Sequence, residues 1–312
     1  MKNLFPVIGS ILLASATLFS SCQKNASANG DAHPEKRMSV AAKEPYKTDA
    51  TWNNYWYQGK AELTSYHLTQ SRYGELHEGT VVNIFVTEDF SKEKQVKLDN
   101  SSGAGNDKLS VLKLNQSIKF NTGIYPYSLM LSSFQPVDIN NYPHAVKITG
   151  TMQEWCGMAF YQMNNRDNKY VIEQRSYFEQ EGDHDTKIEQ VVQEDELWNR
   201  IRISPATLPT GEIKILPGAM FLRLAHKPLE AVNGKLTLTE KNELMVYTIE
   251  MPSLNRKLTI NFEKQFPYKI TGWQDAYPGL DGKVLTTVAE KNKDLMLDYW
   301  RTHTNADRVL RE

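Results

Sequence analysis

The densest run of chemically capable residues in the 312-residue chain is Met152-Gln153-Glu154-Trp155-Cys156-Gly157-Met158-Ala159-Phe160-Tyr161-Gln162-Met163. Read as a strand, it places Met152, Glu154, Cys156, Met158 and Phe160 on one face and Gln153, Trp155, Gly157, Ala159, Tyr161 and Met163 on the other. Both faces are largely apolar, which predicts a central strand covered on both sides. A carboxylate in such surroundings must be paired, protonated or beside a cavity, because burying it alone is expensive. Glu154 is therefore the candidate for ligand contact or acid–base work. The plainer reading is a Glu at a strand end that reaches water or an arginine. Trp155, Tyr161 and Trp56 would add flat apolar surface to a ligand site. Cys156 as a nucleophile needs a base and an electropositive site, and only His144 or His67, distant in sequence, could supply the base. A buried core cysteine is the expected role, and no residue is assigned a catalytic one.

Other constellations resolve into structure. Residues 179–196 carry eight carboxylates against Lys187 alone, around a turn at Gly182. Oxygen ligands so placed could hold calcium, but Lys187 and Ile188 stand where a helix–loop–helix calcium loop needs a ligand and a glycine. A solvated hairpin tip is the reading taken. Gly103-Ala104-Gly105-Asn106-Asp107-Lys108 is followed by Leu109 and a strand pattern, not by the hydroxyl residue and helix of a phosphate loop. There is no G-x-S-x-G elbow and no H-E-x-x-H pair. No metal and no cofactor is expected. Trp52, Tyr55, Trp56 and Tyr57 read as a strand packing onto the core, or else as the wall of a site for an apolar or sugar ligand.

The elements that must position these residues are mainly strands. Thr80-Val82-Ile84-Val86, Val96-Leu98, Tyr125-Tyr127-Leu129-Leu131 and Tyr170-Ile172-Gln174-Ser176-Phe178 alternate with period two. So do Leu236-Leu238, Met245-Tyr247-Ile249 and Leu258-Ile260-Phe262. Gly-, Asn- and Asp-rich turns separate them. Helix signals are confined to Asp195–Ile201, stopped by Pro205, and to Gly218–Leu224, which could equally be a strand. About a dozen strands with short links predict antiparallel pairing, since parallel crossovers need helices that are missing. The expected fold is mainly β: a large curved antiparallel sheet, half-barrel or sandwich, with a few short helices. Residues 51–312 are expected to form one domain, with a loop-rich waist near 205–217 where three prolines fall.

The N-terminus reads as an address. Lys2, an apolar run from Leu4 to Phe19, then Ser20 and Ser21 describe a secretory signal too short to span a bilayer. Cys22 after the small pair resembles the lipobox of bacterial lipoproteins, which implies cleavage of residues 1–21 and lipidation (diacylglycerol and an acylated amine) at Cys22. Residues 22–50 read as a flexible tether of about 30 Å reach. A formal net charge of −1 with 23% charged and 40% hydrophobic residues excludes a basic nucleic-acid binder and wholesale disorder. Two cysteines exclude a disulfide scaffold.

The blocks Tyr55-Trp56-Tyr57-Gln58-Gly59-Lys60-Ala61-Glu62, Asn83–Phe90, Asn121–Tyr127 and Gln153–Gly157 resemble a family of bacterial envelope lipoproteins without an assigned activity. Some of its members carry the label "septum formation inhibitor Maf". That label belongs to cytoplasmic α/β pyrophosphatases with a Leu-Ala-Ser-x-Ser-Pro-Arg-Arg start, and here only Leu13-Ala14-Ser15 echoes it, inside the signal. The resemblance implies a lipid-anchored envelope protein. Gln23-Lys24-Asn25, with no aspartate after Cys22, matches an outer-membrane destination. The function expected is a non-enzymatic binding module for an apolar or amphipathic ligand or an envelope partner protein. The alternatives are an envelope hydrolase acting on lipid or glycan through Glu154, and a structural subunit of an envelope complex.

Overall fold

The computed structural model describes residues 45–311. The signal peptide, Cys22 and most of the tether lie outside the described residues. Fifteen strands form one sheet. The first seven are β1 (Ala61–Arg72), β2 (Glu75–Ser91), β3 (Lys108–Thr122), β4 (Tyr125–Pro136), β5 (Lys147–Glu154), β6 (Gly157–Arg166) and β7 (Lys169–Ser176). Then come β8 (His184–Glu189), β9 (Val192–Gln193), β10 (Gly211–Leu216), β11 (Val232–Lys241) and β12 (Leu244–Met251), followed by β13 (Arg256–Glu263), β14 (Ile270–Pro278) and β15 (Val284–Leu297). Their order across the sheet runs from β8 down to β1, then from β15 down to β9. All pairs are antiparallel except β9 with β10. The mainly-β antiparallel expectation holds, with more strands than the pattern suggested.

The chain forces this sheet to curl. Laid flat, fifteen strands would span about 67 Å. Yet the two edge strands, β8 and β9, are joined by only Gln190 and Val191, a link of little more than about 10 Å. The sheet remains open, but its edges meet at that link, and what it encloses is the core.

Three short helices contribute to that core: α1 (Ala50–Trp56), α2 (Glu194–Ile203) and α3 (Ala219–Leu224). Asp49 caps α1, its carboxylate accepting the Trp52 N–H at 2.7 Å. Trp52 and Trp56, four apart, bury the same helix face. The aromatic cluster of 52–57 is thus a helix, not the expected strand. Residues 45–50, expected in the tether, belong to the body: Tyr46 and Asn140 exchange hydrogen bonds, and the Tyr46 hydroxyl donates to Ile203 O at 3.1 Å.

Helix α2 carries acid in its first turn (Glu194, Asp195, Glu196) and base in its last (Arg200, Arg202), matching its macrodipole. It packs inside the sheet, with Trp198 edge-on to Trp273 at 5.1 Å. It is tied to strands on both sides of the curl. Arg202 donates to Glu62 of β1 at 2.8 Å, and Arg256 of β13 donates to Glu194 at 2.6 and 2.8 Å. Glu196 accepts from Ala145 N at 2.8 Å and lies 2.9 Å from His144 Nδ1. The expected solvated tip at 179–196 therefore needs correction at its end: Glu194, Asp195 and Glu196 are buried.

Strand phase also differs in places. In β2 the inward residues are Val81, Asn83 and Phe85, while Thr80, Val82 and Ile84 stand half-buried or exposed. Asn83 is kept inward by Gln116, whose side-chain amide donates to it at 3.1 Å. Val96 and Leu98 lie in the loop after β2, joined to it by a single bridge at Lys97.

Candidate functional site

The turns β1–β2, β3–β4, β5–β6, β7–β8, β12–β13 and β14–β15 all fall at one end of the curled sheet, the mouth, because successive strands alternate in direction. Helix α1 precedes β1 and closes the opposite end. Helix α3 sits in the mouth, fixed on three sides. At its start, the Gly218 and Ala219 N–H groups donate to the Glu194 and Asp195 carboxylates at 3.0 and 2.9 Å. At its end, the Arg72 guanidinium donates to Leu224 O. From its flank, Arg223 Nη2 donates to Glu154 Oε1 at 2.6 Å.

That last pair opens a chain of polar contacts. The Tyr125 hydroxyl donates to Glu154 Oε2 at 3.1 Å. Arg223 Nη1 lies 3.4 Å from Glu181 Oε1, which His226 Nδ1 approaches to 2.6 Å, and Ser176 Oγ donates to Glu181 Oε2 at 2.7 Å. Phe178 stacks under the guanidinium at 4.1 Å. Arg223 is buried, yet its Nε–H finds no acceptor. A buried donor without a partner is costly, and the Nε–H groups of Arg72 and Arg200 share this state; Arg223 is the one of the three that lines the slot.

Two hollows meet here. A cleft of about 860 Å³ runs between the β7–β8 hairpin and the segment after α3, walled by Phe178, Pro228, Leu229 and Leu280 with Glu181, His184, His226 and Lys227. It shares Gln174, Glu181, Lys227 and Leu229 with a slot of about 40 Å³ beneath, which Tyr161, Leu222 and Arg223 also line. On the other face of α3 lies a chamber of about 80 Å³ with Glu194, Asp195, Asp275 and Arg256 in its wall. Both inner spaces are on the scale of a few water molecules. In the chamber, burial and the neighbouring Glu194 push the Asp195 carboxyl up to about 7.

The four residues expected to bind a ligand are not brought together. Glu154 ends β5 in the mouth, with both oxygens engaged by Arg223 and Tyr125. Trp155 stands outside on the β5–β6 turn, its ring 5.7 Å from Tyr125. Tyr161 points inward and lines the slot. Trp56 lies in the core at the far end, with the Arg202 guanidinium 5.1 Å from its ring. Cys156 is a further correction: it occupies the same turn as Trp155 and is exposed, not core. The run 152–163 is a hairpin, with Glu154 paired to Gly157. Gly157 permits it, since a Cβ there would come within 2.6 Å of the Tyr177 ring.

Arg223 and Arg72, which organise the mouth, were missed. The signal was a lone arginine inside the apolar run Met220-Phe221-Leu222-Arg223-Leu224, which predicts a buried, partnered cation. Among the described residues no group of His, Cys, Asp and Glu is arranged to hold a metal ion, and no helix is long and apolar enough to cross a membrane. Comparison with known proteins returns no matching family model, no similar curated protein and no similar solved structure.

Proposed function

We propose that the protein is a lipid-anchored envelope protein, held by Cys22 at the bacterial outer membrane, that binds an amphipathic ligand in the mouth cleft without chemical conversion. The observation carrying this reading is the orphaned Nε–H of Arg223, a buried side chain that lines the slot beneath a large half-apolar cleft. The ligand's acceptor-rich head would meet Arg223 and His226, and its apolar part would lie along Phe178, Leu229 and Leu280. The inner slot and chamber are too small for an acyl chain, so the ligand occupies the outer cleft. Hydrolysis through Glu154 gains no support from this geometry, because its carboxylate is spent on Arg223 and Tyr125.

Native mass spectrometry of the full chain extracted from envelopes tests this. The expected result is a reproducible bound mass that is lost in Arg223→Lys, which keeps the charge and removes the Nε donor. An apo mass in both proteins overturns the reading and leaves an envelope partner protein as the better one.

A further inference from the structure

We infer that the rim of the mouth is a membrane-seating surface that inserts its hairpin tips among zwitterionic lipid headgroups. Among the described residues, thirteen large apolar side chains are exposed, and eight of them stand at this one end: Tyr73, Leu76, Ile124, Trp155, Met158, Tyr177, Leu280 and Val284. They belong to five separate hairpins at the mouth. Ile124 is 85% exposed at a two-residue turn with Gly123, and Trp155 is 63% exposed at another. Nothing in the fold requires apolar residues at such tips. Turn chemistry favours polar ones, as in the Asn242-Glu243 and Asp167-Asn168 turns of the opposite end.

The layout selects lipid over protein as the occupant. A protein partner needs a contiguous complementary face, whereas these side chains are spaced round an opening on independent projections. Lipid conforms to such a ring: Trp and Tyr settle at the water–hydrocarbon boundary, and Ile and Leu reach just beneath it. Charge then selects the lipid. Glu75, Glu78, Glu179, Asp183 and Asp281 are exposed beside the tips, against Lys119, Lys227 and Lys283, so carboxylates outnumber cations there. Carboxylates at headgroup depth meet the outward ammonium groups of zwitterionic lipids and are repelled by anionic ones. The described chain begins at Pro45, where Tyr46 meets Asn140 and Ile203 at the end opposite this rim. Seating would bring the cleft against a source of amphipathic molecules, but it rests on the exposed tips and not on the cleft being occupied.

Cys156, beside Trp155 on one of the tips, supplies the probe. In the full chain carrying Cys22→Ser, an environment-sensitive fluorophore on Cys156 should shift to the blue with phosphatidylcholine–phosphatidylethanolamine vesicles. The shift should persist in high salt and weaken on vesicles enriched in phosphatidylglycerol. Ile124→Asp combined with Tyr177→Ser, both at exposed positions, should lower vesicle affinity by about tenfold or more with an unchanged melting temperature. Glu75→Lys with Glu179→Lys should reverse the lipid preference. Arg223→Lys, which tests the cleft, should leave the shift intact, so the two failures can be told apart. No shift on either vesicle overturns the inference. So does binding only to anionic vesicles that salt abolishes, or capture of a basic envelope protein through the tips while vesicles leave the probe unmoved.

Discussion

Asp195 is the residue whose environment most alters its chemistry. It opens α2 beside Glu194 and accepts one backbone hydrogen bond, from Ala219, against the burial that raises its carboxyl from 3.8 to about 7. In the unfolded chain the proton leaves near pH 4, while in the native state it stays until about pH 7. Stability contributed by this group is therefore complete below about pH 4 and falls as the pH rises towards 7. Asp195→Asn keeps an acceptor for Ala219 and carries no charge. It should flatten that slope and add on the order of 2 kcal/mol at pH 8. Urea midpoints between pH 5 and 8 decide it, and parallel curves for the two proteins would refute the assignment. Glu62 behaves oppositely. Burial disfavours its charge, but Arg202 and the Tyr55 hydroxyl more than offset this and hold its carboxyl below the usual range. Its contribution is present above the ordinary carboxylate range and is lost as the pH falls. Glu62→Gln leaves the Arg202 guanidinium buried beside a neutral amide and should cost about 3–5 kcal/mol. Glu62→Met with Arg202→Met, which removes both charges, should cost much less. Equal losses in a chemical denaturation series would show that packing and not pairing sets the cost.

At the level of elements, most period-two strands bounded by turn residues were legible, and so were the helical segments at Asp195–Ile201 and Gly218–Leu224; the long-range charge pairs that bury these helices were not. Tyr127-Leu129-Leu131 and Leu258-Ile260-Phe262 face the core as their alternation requires. The β5–β6 turn was hidden because Trp155-Cys156 carries no Gly, Pro, Asn or Asp and looks like strand. The burial of the first turn of α2 was hidden because three consecutive carboxylates look solvated unless Arg256, His144 and the Gly218 and Ala219 amides are known to meet them. Four long-range partners cannot be read from one short segment. Of the candidate site, Glu154 lies in the mouth, and its partner Arg223 is 69 residues away. The α2–α3 junction shows how tightly these elements are coupled. A Cβ on Gly218 would fall 2.6 Å from Glu194 Oε1 and 2.9 Å from Asp195 Oδ1. Arg256 already fixes Glu194, so it cannot swing aside freely. Gly218→Ala should destabilise by about 1–3 kcal/mol, read as a lower urea midpoint. An unchanged midpoint would mean that α3 shifts without loss and is no fixed plug.

The described body is one sheet curled round α2, with α1 and α3 at its two ends, and that arrangement dictates how it should come apart. Helix α2 touches both arms: Asn199 donates to Leu112 O of β3 at 2.7 Å, Arg202 reaches β1, and Glu194 meets Arg256 of β13. Removing it would take Arg202 from Glu62 and Glu194 from Arg256, leaving them only Tyr55 and Asp275, and would uncover the inner apolar faces of both arms, so it can open only when both arms do. Strand β8 is the reverse case. It is an edge, exposed or half-buried along its length, and it carries charge at Asp185, Lys187 and Glu189. Its hydrogen bonds are satisfied by β7 alone. Local opening free energies follow how much buried surface each segment must release. Hydrogen exchange should therefore show β8 exchanging first, at low opening free energy, while α2 and the inner strands β1–β4 and β13–β15 exchange together near the global value. The joint loss should be visible as one mass envelope replacing another in strongly exchanging conditions. Exchange of α2 ahead of β8 would mean that the helix is a removable insert and that the curled sheet stands without it.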